Sequence, residues 1–400
     1  MLCYKLSIAQ LEITGTLSSI KFQNIQVIMK NKTRTALLIS GLVTSALVQA
    51  ETPSKVQIDS VFAEIKTQSP GCSVGVIKNG KLIHQAGYGL ANMELNVPLD
   101  GTHVHRIASV SKQFTGFAVL LLADEGKIDL NQDIRTYLPE LRDYKVPVSI
   151  NAMLGHYSGM GDYDFVNTEL DKDTLKLKST MAGDFRLGNE DYLTIQEFYD
   201  YVKTVPLRNQ PNERFSYSNY AYFLLSMLVE RVSGESLREY SDKRIFKPLG
   251  MKNTFFSDEP TEIVKNRADG YSKDKEGNYF TNMTNLFWVG DGGLHTTIED
   301  MAKWDAYFYK PTLGKKPEQL LSQFMRPNNP AITAEGKLYA NGQFITEKDG
   351  VKIIHHSGGW LGTITNYERI PEKQYSSIVF CNDTSLDIAK LVKELRKQVL

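Results

Sequence analysis

The chain has 400 residues, with 46 Lys+Arg against 46 Asp+Glu, 42% apolar and 23% charged residues. That composition belongs to a folded globular chain and excludes a disordered, collagen-like or multi-span membrane protein. A formal charge of zero supplies no general attraction to phosphate, which argues against nucleic acid as a partner.

The first fifty residues read as a leader. Lys30, Lys32 and Arg34 precede a short apolar stretch, residues 36–48, and Val48-Gln49-Ala50 ends it with a small-residue cleavage site. This is the pattern of a signal peptide over residues 29–50, with residues 1–28 upstream of the true start. Removing residues 1–50 takes away five basic and one acidic residue and leaves 41 basic against 45 acidic. The expected product is mildly acidic, periplasmic or secreted, with no stable membrane span after cleavage.

Residues 55–67 place apolar side chains at helical spacing. Residues 72–89 (CSVGVIKNGKLIHQAGYG) read as two strands joined at Asn79-Gly80, a strong hairpin signal. From Ser109 an apolar helix runs to Gly126. Thr194-x-x-Glu197 and Thr297-x-x-Asp300 predict capping boxes that open helices, and residues 217–232 predict a buried helix stopped near Gly234. Strand character returns at residues 337–346, 350–356, 360–370 and 375–383, and residues 386–400 form a last helix. Strands at both ends with helices between them predict one mixed sheet around a helical region, an α+β fold. Residues 161–193 are polar and irregular and are expected to form a flap beside the cleft.

Three S-x-x-K tetrads occur, Ser18 to Lys21, Ser109 to Lys112 and Ser272 to Lys275. Only Ser109 opens an apolar helix. A hydroxyl and an ammonium three residues apart lie on one helical face, where a desolvated lysine can take the serine proton. An N-cap serine with a snorkelling lysine is the bland alternative. Downstream come Tyr217-Ser218-Asn219, after the turn-like Pro211-Asn212, and His356-Ser357-Gly358, followed by Gly359. A second Y-x-N, Tyr339 to Asn341, is taken as chance.

The cysteines and histidines suggest no metal. Cys3 lies in the leader, and Cys72 and Cys381 fit no C-x-x-C spacing. His103-Val104-His105 is an H-x-H pair without a further ligand at a recognisable spacing. Neither metal nor cofactor is expected.

The ordered set S-x-x-K, Y-x-N, H-x-G resembles the serine β-lactamase-related family, which holds class C β-lactamases, serine D-Ala-D-Ala carboxypeptidases, D-aminopeptidases and esterases. The resemblance covers residues 56–400 and includes RIASVSKQFTG, MLGHYSGMGDY, FSYSNYAYFLLSMLVERVSG, FKPLGMKNT, DGGLHTTIEDMAKW and HHSGGWLGTITNY. It implies that residues 51–400 are a catalytic domain. Its fold would be an antiparallel sheet of N- and C-terminal strands, flanked by helices, with a mainly helical region inserted. Ser109 would be the acylated nucleophile, Lys112 its proton partner, and Tyr217 the shared base that later protonates the leaving group. Asn219, His356, Gly358 and Gly359 would bind substrate, with the Ser109 and Gly359 N–H groups as oxyanion hole.

Three departures qualify the resemblance: Asn212 where Gly is usual, the long segment 161–193, and His356 where β-lactamases of this group carry Lys. The last favours a peptidase, amidase or esterase over an efficient β-lactamase, because His is mostly neutral at pH 7. His156 is expected to position a loop, Gly292-Gly293 to allow close backbone approach, and His355 to face away from His356. Trp288 and Trp360 are expected to be packing residues, Trp360 near the cleft rim. The resemblance also makes the first and last strands antiparallel neighbours, which brings Cys72 near Cys381 as either a disulfide or two separate buried thiols. The overall expectation is an exported serine hydrolase acting on an amide, ester or lactam of a small molecule or peptide. Peptidoglycan fragments and β-lactams are in scope, and oligomeric state stays open. The alternative is a non-catalytic cell-envelope binding protein on the same fold.

Overall fold

Asn79 and Gly80 take positive φ (51° and 70°) and turn β1 (Cys72–Lys78) into β2 (Lys81–Tyr88), the geometry a two-residue hairpin asks for. The computed structural model describes residues 55–163, 192–348 and 350–400. The leader, the Ser18 to Lys21 tetrad and most of the expected flap, residues 164–191, lie outside the described residues.

β1 and β2 join five C-terminal strands: β10 (Leu338–Ala340), β11 (Gln343–Lys348), β12 (Val351–Trp360), β13 (Thr363–Ile370) and β14 (Tyr375–Cys381). Their order is β10-β11-β12-β13-β14-β1-β2 and every pairing is antiparallel. The sheet is therefore not mixed. Sequential neighbours are joined by short turns, whereas parallel neighbours would need long crossovers. Short pairings complete the strands: β3 (Leu90–Asn92) with β4 (Val97–Pro98), β9 (Leu294–Thr296) with both β5 (His105–Arg106) and β6 (Phe255–Phe256), and β7 (Tyr271–Lys273) with β8 (Tyr279–Thr281).

Among the described residues, the α-helices of five or more residues are α1 (Lys55–Val61), α2 (Lys112–Asp124), α3 (Ile150–Leu154), α4 (Ile195–Val202), α5 (Asn219–Ser233), α6 (Leu237–Ser241), α7 (Ile298–Tyr307), α8 (Pro317–Phe324) and α9 (Ile388–Val399). On one sheet face Val74, Val76 and Val379 pack with Ile58 of α1 and Val392 and Leu395 of α9. On the other, a Cβ at Gly75 would lie 2.4 Å from Ile298 Cγ2, so α7 sits directly on the strand. Phe114 and Phe117 of α2 meet Trp304 of α7 at ring-centroid distances of 4.6 and 5.3 Å. These contacts tie the helix that follows Ser109 to the main core.

Several boundaries differ from the sequence reading. α1 stops at Val61 rather than 67; the chain continues in single turns (Phe62 N to Asp59 O, 3.0 Å) while Phe62 stacks on Tyr88 at 4.6 Å. The segment at Ser109 begins as a 3₁₀ turn, Ala108–Ser111, and becomes α-helical at Lys112. α5 begins at Asn219, with Ser218 as N-cap accepting from Ala221 N at 3.0 Å. The Thr194–Glu197 box is complete. Thr297 caps Asp300 N, but the Asp300 carboxylate turns to Asn253 and Thr254 instead.

Cys72 and Cys381 are direct register partners on β1 and β14 and are joined by a disulfide, with Cα atoms 3.9 Å apart. Among the described residues, no helix is long and apolar enough to cross a membrane.

Candidate active site

The site forms where β12 outruns its neighbour. Pairing of β11 with β12 ends at Phe344↔His355, while β12 continues to Trp360 paired only with β13. The 3₁₀ turn carrying Ser109 docks against this overhang. A Cβ on Gly358 would lie 2.4 Å from Thr365 Oγ1, 2.5 Å from Ile107 O and 3.0 Å from Ser109 N. Only glycine lets strand and turn approach so closely. Gly358→Ala is therefore expected to cost about 1–3 kcal/mol through overpacking and to push the Ser109 turn away. At Gly359 a Cβ meets nothing within 4 Å, so Gly359→Ala should unfold at the wild-type denaturant midpoint. Equal midpoints for the two variants would refute this packing.

Ala108 holds φ at +45° just before Ser109, a conformation that costs a non-glycine residue about 1–2 kcal/mol. Strain at this position is what a presented nucleophile would show. Ser109 is no N-cap: the turn's cap position is Ile107 and carries no side-chain cap bond.

Lys112 is fully buried and does not snorkel. Its Nζ donates to Asn219 Oδ1 at 2.7 Å and to the Asp291 carbonyl at 2.5 Å, and lies 3.2 Å from Ser109 Oγ. The first two partners can only accept, so they hold two N–H groups. The remaining position on nitrogen, proton or lone pair, faces the serine hydroxyl. Asn219 cannot turn over, because its Nδ2 donates to Asp162 Oδ1 at 2.7 Å. Burial pushes the Lys112 ammonium down to about 8, against the upward pull of Asp291 and Asp162.

Tyr217 stands just outside α5, its ring 4.9 Å from Lys112 Nζ. Burial raises its phenol well above the ordinary value, and the Asp162 and Asp291 charges add to that. Lys112 thus gives up its proton more readily than Tyr217.

His156 is buried at φ +59°. Its Nδ1 accepts from Ser218 N at 3.1 Å and its ring packs on Tyr217 at 4.2 Å, the loop-positioning role expected of it. His356 lies on β12. It is buried, 3.1 Å from Tyr339 OH, with Nδ1 2.6 Å from Ser357 O and its ring 6.2 Å from that of Tyr217. Burial and Lys112 push it down to about 3, so it is a neutral imidazole. His355 faces away, to Thr346 Oγ1 at 3.2 Å.

The space beside Ser109 is a cavity of about 40 Å³ bordered by Arg106, Asn219, Asp291, Gly359 and Trp360. Trp360 reaches this rim, and Trp288 is buried, stacked on Phe198 at 3.8 Å. Asn212 takes φ +66°, so it serves the left-handed turn in place of glycine. A Cβ at Gly292 would meet Ala108 only at 3.8 Å, so close approach is not its reason; Gly293 instead holds φ +84°. The other S-x-x-K does not join: Ser272 lies on β7 with Thr384 Oγ1 at 2.7 Å. Tyr339 supports His356, while Asn341 sits in the β10–β11 turn with φ +47°. The H-x-H pair separates, His103 to Asp100 and His105 to Ser73, each at 2.9 Å. Among the described residues, no three His, Cys, Asp or Glu side chains gather to hold a metal.

The family model for Beta-lactamase matches residues 58–399. The chain belongs to the Beta-lactamase family. Protein Flp of Staphylococcus aureus strain MRSA252 is similar to this Beta-lactamase-family chain, 27% identical over 87% of the chain and 66% of Flp. The chain thus spans just under two thirds of that relative. A D-aminopeptidase of Gluconobacter oxydans strain 621H is 26% identical over 79% of the chain and 56% of its own length. Among solved structures, an octameric penicillin-binding protein homologue from Pyrococcus abyssi is 27% identical with a TM-score of 0.71, covering 86% of this chain and 78% of that one. The β-lactamase/penicillin-binding-protein-like fold is that of this chain.

Sequence reasoning missed Asp162, Tyr163 and Asp291 as parts of the site. The one local signal is Asp291 itself, a lone carboxylate in WVGDGGL, an otherwise apolar, glycine-rich run.

Proposed function

We propose that this chain is an exported serine hydrolase that cleaves an amide or ester through an acyl-enzyme on Ser109. The observation carrying this reading is the Lys112 amine, buried and held by two carbonyl acceptors so that its third position faces Ser109 Oγ at 3.2 Å. As the free amine, Lys112 takes the Ser109 proton while Oγ bonds to the substrate carbonyl carbon. The Ser109 and Gly359 N–H groups receive the oxyanion. Tyr217, a neutral phenol, gives its proton to the leaving amine or alkoxide as the C–N or C–O bond breaks, and recovers one from Lys112. Water attack on the acyl-enzyme repeats the sequence in reverse and frees Ser109.

The neutral, buried His356 offers no cation to a substrate carboxylate, which supports amide or ester substrates over β-lactams. The similarity to a D-aminopeptidase points the same way. The Cys72–Cys381 disulfide supports export to an oxidising compartment. The intact Ser109–Lys112–Tyr217 set weighs against a purely binding role.

The test is labelling with a fluorescent phosphonate, followed by turnover of D-amino-acid peptides, nitrophenyl esters and a chromogenic cephalosporin. Lys112→Ala and Tyr217→Phe should each slow acylation by about 10²–10⁴-fold. Folded protein that neither labels nor turns over any of these substrates would leave the binding-protein reading standing instead.

A further inference from the structure

Two cations flank Ser109, and neither makes a salt bridge among the described residues. One is Lys112. The other is Arg106 on β5, whose Nη1 reaches only the Leu286 carbonyl at 3.5 Å and whose buried Nε has no partner. Asp291 borders the Ser109 cavity with Arg106, and its main-chain carbonyl holds Lys112. It is 6% exposed and lies on the loop that enters β9. Its Oδ2 accepts a hydrogen bond from Tyr163 OH, which in turn accepts from Trp288 Nε1 at 2.9 Å. Its buried Oδ1 has no partner.

We propose that Asp291 is a positioning residue of the hydrolase: its main-chain carbonyl aims the Lys112 amine at Ser109, and its carboxylate, anchored by Tyr163, is the counter-charge that sets the pH at which that amine is free. This rests on the reading of Ser109 and Lys112 as the nucleophile pair.

The other groups around Lys112 do not supply that charge as directly. From α5 come Tyr222 and Asn219, and from just before its N-cap comes Tyr217. Burial holds both phenols neutral. From the loop after α3 come His156 and Asp162, and from β12 comes His356. Burial, reinforced by Lys112 itself, keeps both imidazoles uncharged. Asp162 lies behind Asn219, occupied by the Asn219 Nδ2 and main-chain N–H groups at 2.7 and 3.3 Å. Asp291 is the largest upward influence on Lys112, ahead of Asp162. Burial raises its own carboxyl, and Lys112 and the Tyr163 hydroxyl pull it back toward the anion.

An anion beside an ammonium favours the charged form, so removing the anion frees the amine at lower pH. Asp291→Asn keeps the main-chain carbonyl and an Oδ1 acceptor for Tyr163 while deleting the charge. The pH dependence of phosphonate labelling should then show its acid-side midpoint moved down by about one pH unit from the wild-type position. A purely structural role would lower the plateau rate and leave the midpoint where it was. An unmoved or upward-moved midpoint in the folded variant overturns the proposal.

If Asp291→Asn does not fold, Tyr163→Phe removes the hydrogen bond that favours the anion and should move the midpoint down by less; no movement there overturns the proposal equally. The two readings fail separately. A Ser109→Ala protein that still labels would remove the nucleophile assignment itself, whereas a wild-type midpoint in Asp291→Asn removes only the positioning role of Asp291.

Discussion

Ser109→Ala is expected to abolish covalent labelling and to lower turnover by about 10⁶-fold, the scale of losing a serine nucleophile, while the protein stays folded. The hydroxyl contributes little to stability, because its hydrogen-bond partner is Lys112 at 3.2 Å. Lys112 keeps its bonds to Asn219 and Asp291 without it, so the loss should be about 1 kcal/mol or less. The wild-type pH profile carries the same logic. Lys112 is pushed down to about 8, so the free amine is the minority form at pH 7. Acylation should therefore rise as pH rises through about 8 and flatten above it. A profile flat from pH 6 to 9, or a Ser109→Ala protein hydrolysing at the wild-type rate, would remove Lys112 or Ser109 from these roles.

How much of the molecule is legible in the chain depends on whether the determinant is local. The Asn79-Gly80 hairpin, the Thr194–Glu197 box and the Gly234 helix stop are set by residues within a few positions of each other, and each has its expected geometry. Ser109, Lys112, Tyr217 and Asn219 are legible because their motifs are short. Their convergence is implied by resemblance in the sequence and becomes a set of distances in the structure.

What stays hidden is long-range. The Asp291 carbonyl meets Lys112 across 179 residues, and Asp162 meets Asn219 across 57; no spacing rule marks a main-chain acceptor. The resemblance makes His356 a residue that lines the strand edge and helps place the substrate. Its burial depends on Tyr339 and Phe344 folding over β12, which strand alternation does not reveal. The mixed-sheet expectation fails for a related reason. Strand direction is fixed by which strands become neighbours, and here chain order along β10 to β14 leaves only hairpin connections.

Removing the disulfide should give the largest change in stability. Cys72 and Cys381 are 309 residues apart in sequence yet directly opposed on β1 and β14, so the bond closes residues 72–381 into one loop. Such a long closure removes much of the unfolded chain's freedom and stabilises the native state by about 2–5 kcal/mol. The Cys72→Ala/Cys381→Ala protein should therefore unfold at lower denaturant than the oxidised wild type, and reducing agent should lower the wild-type midpoint without affecting the variant. The catalytic consequence should be smaller, because the link from β14 to the site is indirect. Thr363 Oγ1 lies 3.3 Å from the Cys381 carbonyl and 3.1 Å from that of Arg106, two residues from the strained Ala108. Labelling of the variant should stay within about tenfold of wild type, a span of about 1.4 kcal/mol. Identical unfolding midpoints for oxidised wild type and the cysteine-free variant would show that the sheet's own pairing, and not the bond, holds its first and last strands together.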